Sequence, residues 1–452
     1  MSENPLAYED ISKLLKGFAI PSITATLVSS LYNIVDQIFI GQGVGYLGNA
    51  ATNVSYPLST ICLAISLLLG IGSAARFSLY LGKGEPDKAA RLAGNGVLLM
   101  AGAGVLYLVI GEAFLTPLLR VFGATEEVLP YAQQYAGIVL LGMPFLILTN
   151  GISNLIRADG SPRYSMLCML AGAIVNTILD PVFIFGMKWG VFGAALATIL
   201  GQFLSFFMAM RYLWHFKTIR ITRQCFVLDL WDSLRTFYMG ISSCINQVAI
   251  TLVQIVLNNS LTYYGAASIY GTDIPLAACG IVMKTNAILL SIIVGISQGV
   301  QPIIGFNYGA KKYDRVRRAY LLAIQWNFAV SAVGFVLFQF LPGPIISIFG
   351  SGDELYFEFS ILFMRTFLFM VLVNGVQLLS SNFFTAIGKA LKGLLLSLTR
   401  QVFFLIPLIL ILPLKLGIFG VLLAGPIAYF IAFVVSVVLV RREFKNLKTQ
   451  TV

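Results

Sequence analysis

Of the 452 residues, 58% are apolar and only 11% charged, and the mean hydropathy is +0.87. An average soluble domain is about 45–50% apolar and about 25% charged, so a water-soluble globule is excluded and the chain reads as an all-α protein of a lipid bilayer. Five scattered cysteines with no CxxC pair, a single histidine (His215) and no GxxxxGK[ST] loop exclude a disulfide framework, a zinc or haem centre and P-loop ATP hydrolysis, and no nucleophile–base motif marks an enzyme.

A spanning helix needs about 20 mostly apolar residues, and twelve such stretches are predicted. The first, 17–40, follows Lys13 and Lys16, holds Pro21 near its start and carries Tyr32, Asn33 and Asp36 toward its far end. It is too long for a signal-peptide core and is read as a retained helix. Spans 53–80, 92–117 and 130–156 follow, the last with Asn154. The fifth, 163–186, contains Asn176, Asp180 and Pro181, and the sixth, 190–213, contains Thr198. The polar stretch 215–236 is read as a cytoplasmic linker between an N-terminal lobe, 1–214, and a C-terminal lobe, 237–452. The second half supplies 237–262 with Gln254 and Asn258, 274–300 with Lys284 and Gln298, then 318–341, 357–384 with Arg365, 393–414 with Arg400, and 417–440. Gln301 and Asn307 lie just past the eighth span.

Lys and Arg in loops orient such a chain. Of the 30, 24 fall on the side of the two termini. Only Arg120, Lys188 and Lys415 fall on the other, and Lys284, Arg365 and Arg400 lie within spans. Both termini are therefore expected in the cytoplasm, in the cell (inner) membrane. The same bias accounts for the net charge of +11 without any nucleic-acid partner.

The halves match at a separation of 227 residues: Gly82, Asp87 and Arg91 with Gly309, Asp314 and Arg318; Phe122-Gly123 with Phe349-Gly350; Gly190, Gly193 and Ala197 with Gly417, Gly420 and Ala424. A one-residue slip adds Ala158 and Gly160 with Ala386 and Gly388. Each half thus holds six helices. Six is even, so the repeats run parallel, related by an axis along the membrane normal. Two six-helix lobes around a central cleft is the layout of a rocking, alternating-access transporter.

An ionisable group at the bilayer centre costs about 2.5–3.5 kcal/mol on insertion scales. Asp36 and Asp180 are the acids most clearly inside spans, each with an amide on its own helix face, Asn33 and Asn176. At 1.5 Å per residue, Asp36, Asp180 and Thr198 lie roughly 7, 9 and 12 Å below the outer ends of their helices. Pro181 cannot donate to the Thr177 carbonyl, leaving that oxygen free. Carboxylate, amide, hydroxyl and carbonyl oxygens suit Na⁺, and desolvated carboxylates suit a proton. The positions 227 on from Asp36, Asn176 and Asp180 are Tyr263, Phe403 and Pro407, so ion coupling is expected in the N-terminal lobe alone. Pro21 is a candidate hinge. Tyr32, Asn33, Asn154, Gln254, Asn258, Gln298 and Gln301 are candidate cleft-lining residues.

The YNIVDQIFIG first helix, the IRADGSPRYSM loop and NTILDP in the fifth helix, on twelve helices in two repeats, resemble the multidrug and toxic compound extrusion (MATE) family, its bacterial MepA/DinF-like branch above all. The resemblance covers residues 11 to about 445. It implies a single-chain antiporter that exports amphipathic, often cationic small molecules in exchange for Na⁺ or H⁺, with no other cofactor. It also implies a cation site on Asp36, Asn176, Asp180 and Thr198, and a first-helix proline corresponding to Pro21. Acids used in C-lobe helices by other branches have no clearly buried equivalent here. The alternatives are a flippase for a lipid-linked envelope precursor, drawing on Lys284, Arg365 and Arg400, and a non-transporting membrane scaffold.

Overall fold

The computed structural model describes residues 4–349 and 354–449, and among these every regular element is helical. After a short turn of helix, Pro5–Tyr8, the first half comprises α1 (Ile11–Val44), α2 (Tyr46–Gly82), α3 (Pro86–Ala113), α4 (Leu129–Ala158), α5 (Pro162–Pro181, rewound as a π-helix over Val182–Gly186) and α6 (Gly190–Tyr212). The second comprises α7 (Leu230–Ala266), α8 (Asp273–Gly309), α9 (Tyr313–Phe340), α10 (Glu354–Phe367 and Val371–Ala386), α11 (Ala390–Leu398, π-helical over Thr399–Leu405, then Ile406–Ile411 and Pro413–Leu416) and α12 (Ile418–Thr449). Eleven spans are unbroken by length and composition, and α10, bent by 49°, completes twelve.

The helices outrun their apolar stretches: 17–40 becomes Ile11–Val44. Hydropathy registers only the part in lipid, whereas polar ends such as Ser12, Lys13 and Gln42 continue the winding into the interface. The stretch 92–117 is not one helix. It stops at Ala113 and a separate turn, Leu115–Val121, begins, because Pro117 has no N–H for the Ala113 carbonyl. The tenth span breaks where the Gln339 side chain donates to the Arg365 carbonyl at 2.8 Å, taking the acceptor that the Phe369 N–H would use in a continuous helix. Phe369 N–H bonds Thr366 instead.

The repeat reappears in the backbone. Gly160 and Gly388 turn at φ 86° and 83°, and Gly190 and Gly417 at 54° and 59°. Gly350, the partner of Gly123, lies outside the described residues. The turn made by Gly84 at φ 77° is made in the second half by Lys311 at 58°. A side chain in that region costs roughly 1 kcal/mol, so Lys311→Gly should raise stability by about that amount, read as thermal stability in detergent.

The halves touch at the end of the bundle that carries the termini. Gly72 and Gly240 bring the α2 and α7 backbones into contact, and Gly82 and Gly309 do so for α2 and α8. Arg76 Nη2 pairs with Asp232 at 2.6 Å. On α1 and α8, Gly299 meets Ala19, Gly295 meets Ile23, and the Ser30 and Ser291 hydroxyls meet at 2.5 Å. The segment before α1 is clamped to the second half by Arg315 on the Glu9 carbonyl (2.6 Å) and Lys312 on the Ala7 carbonyl (2.8 Å). Beyond these contacts the same helix faces become exposed: Asn33 on α1, Ile61 on α2, Gly280 and Lys284 on α8. The lobes therefore enclose a cleft that is shut at the terminal end and open at the opposite end.

Candidate functional site

Asp180 ends the regular part of α5, directly before Pro181 and the π-helical turn. A widened turn is a common device for re-aiming side chains at functional sites. Asp180 is fully buried and Asn176, one turn earlier, is nearly so. Asn176 Nδ2 lies 3.4 Å from Asp180 Oδ1 and 3.3 Å from Thr198 Oγ1 on α6, and the Thr198 hydroxyl donates to the Ala194 carbonyl at 3.1 Å. Turned about, the amide satisfies both of its ends: Nδ2 donates to Asp180 Oδ2 at 3.3 Å, and Oδ1 accepts from the Thr198 N–H and hydroxyl, each at 3.3 Å.

From α1, the half-buried Asp36 stands beside Asp180. Its Oδ1 is buried with no partner. No Lys or Arg pairs with either acid among the described residues. Two neighbouring carboxylates, one fully buried and neither paired with a fixed cation among the described residues, call for a proton or a small cation between them. The donor set, two carboxylates with an amide and a hydroxyl oxygen, fits a hard monovalent ion. No cluster of three His, Cys, Asp or Glu gathers among the described residues.

Tyr32 and Tyr135 stand near both acids. Tyr135, on α4, carried no sequence signal: one tyrosine at the start of an apolar stretch looks like interfacial anchoring. Pro21 is buried within an α1 that continues through it. It withholds a hydrogen bond from the Gly17 carbonyl. Asn33 is exposed toward the cleft and donates to the Ser29 carbonyl at 2.6 Å. Gln254 and Asn258 bond each other at 3.1 Å and meet Cys279 across the α7–α8 seam. Gln298 is half-buried, and Gln301 is buried with its Nε2 unpaired. Asn154 stands apart from the cleft surface. It is buried, donating to the Asn150 carbonyl at 2.8 Å and accepting from Arg157 at 2.5 Å. Its amide serves an arginine one turn along the same helix.

The three bases within second-half spans part company. Arg400 is buried, bonded to Asn374 at 2.5 Å and set over the Tyr429 ring. Arg365 donates to the Gln339 carbonyl at 2.9 Å beside an apolar cavity of about 550 Å³ bordered by Leu423 and Phe430. Lys284 is exposed.

The MatE family pattern matches residues 21–182 and 242–411. The multidrug export protein MepA of Staphylococcus aureus (strain N315) is 25% identical over 429 residues, 93% of this chain and 92% of its own length. The probable multidrug resistance protein YoeA of Bacillus subtilis (strain 168) is 24% identical over 446 residues, 95% of each chain. A multidrug resistance MATE family transporter of the MOP superfamily, solved in its outward-facing conformation, superposes with a TM-score of 0.92 at 22% identity over 99% of both chains. A MATE protein solved in complex with MaL6 superposes at 0.93 with the same identity, over 99% of this chain and 100% of that one. The chain belongs to the MatE family, the multidrug and toxic compound extrusion transporters.

Proposed function

We propose that this chain is a Na⁺- or H⁺-coupled antiporter that exports amphipathic organic compounds across the cell membrane by alternating access, as a single chain with both termini in the cytoplasm. The observation that carries the reading is the Asp36–Asp180 pair, the first half-buried and the second fully buried, with no fixed counter-charge among the described residues. Such a pair is stable only while a mobile positive partner is present. Asp36 sits on α1, whose face also borders the cleft, so filling the site and reshaping the cleft are joined through one helix. Asn176 and Thr198 complete the ion's oxygen shell. Pro21 supplies the hinge at which α1 changes its bend. Tyr32, Asn33, Gln254 and Asn258 form the polar part of the cleft wall, while Gln298 and Gln301 lie on the closed side of the Gly295 and Gly299 contacts.

The order of steps follows from charge. An ion arriving from outside neutralises the acids and favours release of the exported compound and return to an inward-facing state. A compound bound from the cytoplasm favours the reverse. Cationic drugs, as the family resemblance implies, are the first compounds to assay. The deciding experiment is efflux from liposomes with Na⁺ and pH gradients imposed separately. One gradient should drive uphill export and the other should not, or only weakly. Equal flux with no gradient at all would point to the scaffold or flippase alternatives.

A further inference from the structure

The face of α8 that packs on α1 is a single stripe. Gly299, Gly295 and Ser291 meet Ala19, Ile23 and Ser30 in succession. Two turns further along the same stripe, where the helices have parted, stands Lys284. It is exposed, as are Gly280 and Ala287 on either side of it. A side chain added at Gly280 would meet nothing within 4 Å. Lys284 is seven residues from Ser291 and Asp36 six from Ser30, so both lie roughly 10 Å above the last inter-lobe contact. Amine and carboxyl thus share one depth, Lys284 on the wall across from α1.

The rest of the cleft is nearly bare of charge. Residues 46–75 of α2 contain no Asp, Glu, Lys or Arg, and neither does α7 beyond Arg235. On α8 the only charged groups are Asp273, in its first turn at the mouth, and Lys284. Asp36 and Asp180 are turned toward one another inside the first lobe, and Asp180 presents no surface to the cleft. Lys284 forms no ion pair among the described residues. An unpaired ammonium flanked by apolar walls in a narrowing cleft is an anion site, its field strengthened by the low dielectric on both sides.

We propose that Lys284 is the substrate's charge partner, and that this chain carries compounds bearing an acidic group, a carboxylate or sulfonate, on an apolar aromatic body. This rests on the ion-coupled transport reading above and departs from it in the charge of the compound, where the family resemblance implies cations. A cationic compound would meet Lys284 as a like charge, and the one pair of acids nearby is engaged with the coupling ion. Ion and substrate then have separate places: cation in the first lobe, anion on the second.

The test uses the full-length protein with two dyes of similar size and opposite charge, carboxyfluorescein and a rhodamine ester. Binding to protein in detergent is read by fluorescence polarisation, and flux is read in liposomes. Wild type should bind carboxyfluorescein more tightly than the rhodamine. Lys284→Gln should weaken carboxyfluorescein about tenfold, the weight of one charge-assisted contact, and Lys284→Glu should invert the preference. Lys284→Arg should retain it. Wild-type preference for the rhodamine, or carboxyfluorescein binding that neither Lys284→Gln nor Lys284→Glu alters, overturns the proposal, as does no binding of either dye. Binding that follows Lys284 while neither gradient drives flux would sink the transport reading and leave the anion site standing.

Discussion

Asp180→Asn and Asp36→Asn should each reduce ion-driven efflux to the background of empty liposomes while leaving the protein folded in the membrane. The replacement is isosteric, and an amide at 180 keeps an oxygen for Asn176 Nδ2, now 3.4 Å from Asp180 Oδ1. What it loses is the charge that calls a cation into the site. Coupling between two ligands of one protein is commonly worth about 1–3 kcal/mol, or roughly 5- to 150-fold in affinity. In either variant that factor should collapse to one: drug affinity measured with and without Na⁺, or at high and low pH, becomes the same. A second readout separates this from simple damage. An ion that binds only the folded state raises stability as its concentration rises. Wild type should therefore gain thermal stability with Na⁺ or with acid, whichever is the coupling ion, and the variants should not. Because each variant also removes one of two facing negative charges, its stability without the ion should equal or exceed that of wild type. A loss of stability under all conditions, or efflux that survives both substitutions, removes the pair from the mechanism.

The parts of this site that could be read from sequence are those that cost energy in lipid. A carboxylate in an apolar run demands an explanation by itself, so Asp36 and Asp180 stand out, and helical spacing adds Asn176. Thr198 needed only a depth estimate. Tyr135 was invisible because a tyrosine near a helix end is ordinary. Asn154 looks like a cleft residue in sequence because an amide's partner cannot be seen there, and the partner is Arg157. For the fold, hydropathy counted the spans but not their winding. The stop at Ala113 was readable from Pro117. The break in α10 was not, since it depends on Gln339, a residue on another helix, claiming the Arg365 carbonyl. The small residues that set the lobe contact are similarly silent: glycines are frequent in membrane helices, and only coordinates tell which of them bear a neighbour's backbone.

Gly240 is the sharpest of these. A Cβ placed there would fall against the Leu68 carbonyl of α2, with Leu68 C at 2.6 Å and Cα at 2.9 Å. Gly72 stands in the reciprocal position, where a Cβ would fall against the Thr236 carbonyl oxygen and 3.1 Å from Gly240 N. The obstruction is backbone on backbone, so no rotamer change relieves it; α2 and α7 have to separate. They touch at the end that is shut when the cleft is open, so a larger side chain penalises this state and not one in which the helices are already apart. Overpacking costs about 1–3 kcal/mol, roughly a 5- to 150-fold change in the ratio of the two states. Gly240→Val should lie at the upper end and Gly240→Ala at the lower. Ile61 reports the change, since it is exposed and lies two turns from Leu68 on the same α2 face. In a Cys244→Ser background, which removes the half-buried thiol one turn beyond Gly240, an Ile61→Cys probe should react readily with an impermeant maleimide added outside. Adding Gly240→Val should slow that reaction by at least about tenfold, and should stop efflux even though both acids remain. Unchanged labelling with normal efflux would mean that α2 and α7 do not part at this crossing during transport, and the closed contact would be a static seam.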